Sequence, residues 1–317
     1  MTDTRIESNE GIQTFLKTII LKVILITLFA ALTIILSYVP GEIAAPEKGV
    51  YIFTMGLIWA YFVTKTIIKK GDNHPDVALL IYSAFILWEI CFRIKNLGNP
   101  VLEPPLENVL QVFWNDRKLI WEGIGHSLLI LGAGFSIALV LGNILGMIVG
   151  WSKRLNDDFT PIAKVLSPIP PMVYTPYLIA LLPNFTSASI AVIGFGMFWP
   201  TFLGMINRVN AMNQRIIDSA KVMDVNTFTM LFRVILPYNI PSIIGTVKIQ
   251  LSTIFMILIM AEMIGATSGL GFFIKKYSDY ADYTRVMAGI FVVGIVITIL
   301  NVLADIAEKK LIRWKIV

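Results

Sequence analysis

Apolar residues gather in eight long stretches, near residues 15–39, 50–68, 77–94, 124–150, 161–182, 188–206, 240–264 and 285–307. Each approaches the roughly 20 residues that a helix needs to cross a hydrocarbon core. Lipid supplies no backbone hydrogen-bond partners, so runs of this length predict helices and not barrel strands. The fold expected is therefore an all-α polytopic membrane protein with about eight transmembrane helices. Two connections carry patterns of their own. In the stretch 93–123, Leu102-Glu103-Pro104-Pro105 cannot be regular helix, because proline lacks a donor and restrains the residue before it. A short amphipathic helix is expected to follow, over 106–114. The connection 207–239 spaces Ile216, Ile217, Ala220 and Met223 helically, then Phe228, Leu231 and Phe232, with a break around 224–226. Two short amphipathic helices joined by a turn fit it, with Pro237 and Pro241 marking the start of the seventh span.

Composition agrees with lipid as the main solvent: 56% of the 317 residues are hydrophobic and 15% charged, with a mean hydropathy of +0.75, which excludes an ordinary soluble domain. One cysteine, Cys91, rules out an intramolecular disulfide or a CxxC site, and His74 and His126 leave little for a metal centre. No metal, cofactor or catalytic cluster is expected. The net charge of +5 does not form a nucleic-acid-binding face, since Lys and Arg sit in short loops beside the apolar spans. With both termini cytoplasmic, sixteen of the 26 basic residues fall on inside segments and seven on outside ones, with Lys22, Lys248 and Arg285 inside spans. The positive-inside rule favours that orientation. Arg5, Lys17, Ala44 and Ala45 resemble parts of a signal peptide, but the run 19–39 is longer than a signal's apolar core and is read as a retained span.

The connection 207–239 also carries a motif. Asp218-Ser219-Ala220, Asp224, Val234 and Leu236-Pro237 follow the spacing of the cytoplasmic signature of ABC importer permeases. That signature reads Glu-Ala-Ala, three residues, Gly, nine residues, an aliphatic residue, one more, then Leu-Pro. Small residues at 219 and 220 let a helix lie close in a partner's cleft, and Asp is one of the few residues besides Gly to tolerate left-handed geometry, as the turn at 224 requires. An amphipathic connector resting in lipid headgroups is the alternative. Flanking segments resemble one branch of the family, the permeases of nitrate, taurine, alkanesulfonate, bicarbonate and thiamine-precursor importers. They are Pro104-Pro105 with Val109-Leu110, Gly125-His126-Ser127-Leu128, Gly142-Asn143-Ile144-Leu145-Gly146 closing on Gly150, Ser167-Pro168-Ile169-Pro170-Pro171, and Ala261-Glu262-Met263-Ile264-Gly265-Ala266 with Ser268-Gly269-Leu270-Gly271.

The resemblance implies a six-helix permease core over 77–317, with its ATPase-coupling segment at 207–239, preceded by a two-helix hairpin in 1–76. It also implies partners: separate ABC ATPase subunits, a second permease subunit forming a homodimer, and an extracellular or periplasmic binding protein that delivers a small anionic solute across a bacterial or archaeal plasma membrane. No GxxxxGK[ST] loop is present, so nucleotide chemistry is assigned to a partner. Gly142, Gly146 and Gly150 make one helical face smooth enough for close packing. Glu89 is expected to be a bundle-facing carboxylate and Cys91 a small core residue. Lys248, Ser252 and Glu262 share one face of the seventh span. Either that stripe lines the translocation pathway, or Lys248 snorkels inward while Glu262 sits at the outer interface. A stand-alone secondary transporter or channel, which would show paired mid-membrane ionisable residues or repeated halves, and a membrane enzyme, which would need a polar cluster near an interface, are the competing classes.

This topology places Asn156 and Val225 in the cytoplasm and Ser187 outside. Single cysteines at these positions in a Cys91→Ser background are expected to react with an impermeant thiol reagent in intact cells only at 187; labelling at 225 would invert the orientation.

Overall fold

Every described element is a helix, and prolines mark several of the points where the chain breaks or widens. The computed structural model describes residues 3–39, 48–68, 74–94 and 102–311. Among them, seven helices are long and apolar enough to cross a bilayer. The chain divides into two units, one of Met1–Arg117 with Tyr277–Ala288 and one of Lys118–Lys276 with Gly289–Val317.

In the first unit α1 (Asp3–Ser37) packs against both α2 (Gly49–Ile68) and α3 (His74–Trp88). Ile26, Ala30, Tyr51, Met55 and Tyr82 are buried. The Tyr82 hydroxyl donates to the Met55 carbonyl at 3.0 Å, which satisfies a polar group that lipid could not. A π-helical turn, Glu89–Ile94, continues α3 and buries Glu89, while Cys91 is half-buried. Pro105 is extended, with φ −55° and ψ 139°, and α4 (Leu106–Asn115) starts directly after it and buries Leu106, Val109 and Val112. That is the short amphipathic helix expected after the proline pair. Arg285 binds Asp116 and Asp282 at 2.6 Å each, so a cation within a span has two carboxylates. The side chains of Arg5, Lys17, Arg93 and Lys95, and residues Ala44 and Ala45, lie outside the described residues.

The second unit is built on α5 (Arg117–Trp151), whose 35 residues make it about 50 Å long. Four of its glycines face α8 (Phe185–Asn210) at close range. A Cβ at Gly134 would lie 2.6 Å from Ile193, one at Gly142 2.9 Å from Thr201, one at Gly146 2.6 Å from the Phe202 carbonyl oxygen and 2.9 Å from Met205, and one at Gly150 2.9 Å from Val209. Partners and glycines advance together, so the two helices run parallel. The chain must therefore return between them. The continuous fifth span expected over 161–182 is replaced by an amphipathic helix α6 (Lys153–Leu166) and a short apolar helix α7 (Pro171–Leu181). Pro168, Pro170 and Pro171 cause the break, since three missing donors within four residues cannot be bridged by one helix. At roughly 16 Å, α7 is shorter than a hydrocarbon core, which is why seven long helices stand where eight spans were expected.

Beyond α8 the chain forms α9 (Gln214–Val222), a helical turn α10 (Thr227–Thr229), a π-helical segment Met230–Ile235 and α11 (Leu236–Gly265). Pro237 lacks a donor and its ring would clash with the carbonyl four residues back, and the wider π turn immediately before it relieves that clash. The second expected helix of the connection is thus joined to the seventh span without a break. The last helices are α12 (Leu270–Asp279) and α13 (Tyr283–Leu311). Arg208 meets Ser242 and Thr246 while Thr201 meets Gln250, so α8 and α11 are antiparallel. Lys248 meets Asp305 and Ser252 meets Asn301, so α11 and α13 are antiparallel too. These directions put 152–156 and 211–229 at one end of the unit and Asn184–Ser187 at the other, and Asn156 bonds Asn210 at 2.8 Å at the first end.

Gly146→Ala is expected to lower stability by about 1–3 kcal/mol through overpacking against α8, whereas Gly132→Ala, whose Cβ meets nothing within 4 Å, should be neutral or gain up to about 1 kcal/mol from helix propensity. Thermal unfolding of the two purified variants in detergent checks this; equal midpoints would refute the close helix contact.

Candidate functional site

Helix α9 and the helical turn α10 after it each begin at an asparagine cap. Asn213 caps the start of α9, accepting from the Arg215 N–H at 3.0 Å, and Asn226 caps the following turn, accepting from the Thr229 N–H at 2.7 Å. Between them Asp224 adopts φ 51°, the left-handed conformation that its place in the motif demands. Ile217 anchors α9 in a cluster with Met147, Met205, Val209, Met230, Leu231 and Ile235, while Ala220, Val234 and Leu236 lean on the same cluster. Asp218 and Ser219 face outward, held locally by Gln214 at 2.9 Å and by the Arg215 carbonyl at 2.8 Å, and Pro237 is also exposed. Around the Asp224 turn, Val222, Met223 and Phe228 are 87%, 78% and 69% exposed. Three large apolar side chains on an anchored turn between two capped segments make a rigid protruding knob.

The three residues of the polar stripe separate. Lys248 pairs with Asp305 at 2.5 Å and Ser252 with Asn301 at 3.3 Å, both facing α13. Glu262 lies elsewhere, fully buried. The Ser127 hydroxyl donates to its Oε1 at 2.7 Å and the Gly271 N–H to its Oε2 at 2.8 Å, while Ser127 itself accepts the Leu270 N–H at 3.0 Å. One carboxylate and one hydroxyl thus take up the amides that open α12. Gly269 has φ +118°, and any Cβ there would collide with the Glu262 carboxyl group. Two segments that carry the family resemblance, one around Ser127 and one over 261–271, therefore form a single hydrogen-bonded lock.

Sequence reasoning passes over Arg208. Its Nε donates to Ser242 and its Nη2 to Thr246, each at 2.9 Å, and no carboxylate among the described residues forms an ion pair with it. It stands just past the sixth apolar stretch, where a cation reads as a loop charge; the signal that would have found it is its seven-residue spacing from Thr201 on one face of α8.

Long apolar helices, polar seams between them and a rigid knob between two spans have the build of a transport permease. Residues 142–316 match the family described as the binding-protein-dependent transport system inner membrane component, and the chain belongs to that family. It is a multi-pass membrane protein. The putative aliphatic sulfonates transport permease protein SsuC of Bacillus subtilis is 26% identical over 78% of this chain and 87% of its own length. The taurine transport system permease protein TauC of Escherichia coli is 25% identical over 75% and 90%. The nitrate import permease protein NrtB of Synechocystis is 28% identical over 70% and 83%.

Glu262→Leu is expected to orphan the Ser127 hydroxyl and the Gly271 N–H, at roughly 1–3 kcal/mol for each group. Glu262→Gln keeps one acceptor and should lose about half as much. Thermal unfolding of the purified variants orders them, and a Leu variant as stable as the parent would contradict the lock.

Proposed function

We propose that the chain is a permease subunit of an ATP-driven importer, that it forms the pathway for a small oxyanion, and that the knob around Asp224 docks on a separate ATPase subunit. The single observation that carries this reading, within the family, is the knob itself: a turn between two asparagine-capped helical segments, anchored by Ile217 and presenting Val222, Met223 and Phe228 to its surroundings. Exposed apolar groups on a fixed turn are suited to a partner's cleft. Asp218, Ser219 and Asp224 lie on the outer side of the same segment, whereas Ala220, Val234 and Leu236 support it from within, and Pro237 sets the π turn.

The substrate class rests on the relatives, whose names cite aliphatic sulfonates, taurine and nitrate. A binding protein delivers the solute, a second copy of the chain completes the pathway, and ATP hydrolysis belongs to the partner. The plasma membrane is the site of action, with the knob and both termini cytoplasmic. That orientation is supported by the basic-residue bias and by the knob and Asn156 lying at one end of the second unit. Residues 77–317 act as the permease core, and the hairpin within 1–76 is an addition to it.

Pairing Val222→Asp with Met223→Asp should leave the permease inserted and monodisperse while reducing ATPase copurification roughly tenfold or more. Ala220→Arg is less decisive, because Ala220 packs on the chain's own cluster. Undiminished copurification of the double variant would remove the knob from the interface.

A further inference from the structure

The polar groups of α11 divide between two faces. Lys248 and Ser252 turn to α13, where Asp305 neutralises the lysine. Ser242, Thr246 and Gln250 recur every four residues on another face and turn to α8, where they meet Arg208 and Thr201. Among the described residues, the seam with α8 holds one cation and no carboxylate. Arg208 stands in the last turn of α8, half-exposed and bonded to the exposed Ser242, so both water and an anion reach a charge that no carboxylate there neutralises.

Part of the Arg208 guanidinium is left over for that anion. Two of its nitrogens are held by Ser242 and Thr246, and Thr246 is itself fixed by donating to the Ile243 carbonyl at 2.8 Å. The third nitrogen, Nη1, makes no hydrogen bond among the described residues and lies beside Gly204, where an added Cβ would come into ordinary contact with it at 3.4 Å. A Cβ at Gly245, beside Thr246, would meet nothing within 4 Å. Residues 243–248 of α11 are all half-buried, whereas Ile254, Phe255, Leu258, Ala261 and Glu262 further along are buried. The half of α11 that faces Arg208 is thus loosely covered, and the guanidinium is orientated through two nitrogens and partly exposed.

We propose that Arg208, positioned by Ser242 and Thr246, is an oxyanion-binding station of this permease, taking a sulfonate, nitrate or phosphate oxygen on the unbonded Nη1 of its guanidinium. The inference rests on the permease reading above. A planar fork with one edge already fixed binds oxyanions with little further loss of freedom. The neighbouring hydroxyls, once bonded to Arg208, add no negative charge that would repel the ligand. Lys248 is unsuited to the same task, because Asp305 already occupies it.

The test uses the permease copurified with its ATPase, placed in nanodiscs of phosphatidylcholine alone or with phosphatidylglycerol added. Ethanesulfonate and nitrate are the soluble probes, read by thermal shift, and native mass spectrometry reads retained phosphatidylglycerol. If a soluble oxyanion is the ligand, either probe stabilises the parent in phosphatidylcholine discs. Arg208→Gln then weakens the apparent affinity roughly tenfold or more, Arg208→Lys less, and Ser242→Ala with Thr246→Val a few-fold while the cation is retained. If a lipid headgroup is the ligand, the soluble probes do nothing and Arg208→Gln loses the retained phosphatidylglycerol. A parent that responds to no probe and retains no anionic lipid, or an Arg208→Gln variant that behaves as the parent on both readouts, overturns the station. Should Arg208→Gln fail to fold, the Ser242→Ala, Thr246→Val variant decides: parental behaviour on both readouts there overturns the station as well. ATPase copurification is scored separately, so a wrong permease reading shows as loss of that partner with the parent itself.

Discussion

Where α11 ends and α12 begins, the chain exposes amide groups that a hydrocarbon environment cannot satisfy, and the Glu262 carboxyl group with the Ser127 hydroxyl takes them over. Much else in the second unit follows from this contact. It fixes the start of α12 against both α5 and α11, and it demands glycine at 269, since a side chain there would occupy the space of the carboxyl group. A helix break with no such internal acceptor would be among the least stable places in the chain. The same requirement is met by Asn213 and Asn226 at the two starts in the 213–229 segment, and by the π turn ahead of Pro237.

The amount of this that the sequence disclosed depended on whether the cause was local. Apolar length gave the spans, and proline chemistry gave α4 with the extended residues before it. The turn at Asp224 was legible because few residues accept φ near 51°, and Asp stands where the family motif has glycine. The break between α6 and α7 was present as three prolines in four residues, yet an apolar stretch long enough to span concealed it. Long-range pairing was invisible. Nothing beside Lys248 announces Asp305, and nothing beside Glu262 announces Ser127, more than a hundred residues away.

Three cations within the spans are handled in one way, and Arg208 at the end of α8 in another. In the first unit Lys22 approaches Asp76 at 3.9 Å and Arg285 holds two carboxylates, and in the second Lys248 holds Asp305. Each is a cation within an apolar span given an opposite charge from another part of the chain, as the cost of an isolated intramembrane ion requires. Arg208 has hydroxyl partners instead. Hydroxyls orient a guanidinium without cancelling its charge, so the field of this residue reaches whatever enters the seam with α11.

The parallel contact of α5 and α8 has a mechanical consequence. Glycines at 142, 146 and 150 seat Thr201, Met205 and Val209 like teeth in a rack, with a pitch of four residues, or about 6 Å. Sliding one helix along the other by a smaller distance would drive a tooth into the Cβ atoms between the glycines, which a close-packed interior resists. Rotation about the line of contact disengages no tooth. Whatever strokes this permease makes, α5 and α8 travel through them as a single spar, hinging elsewhere and never telescoping.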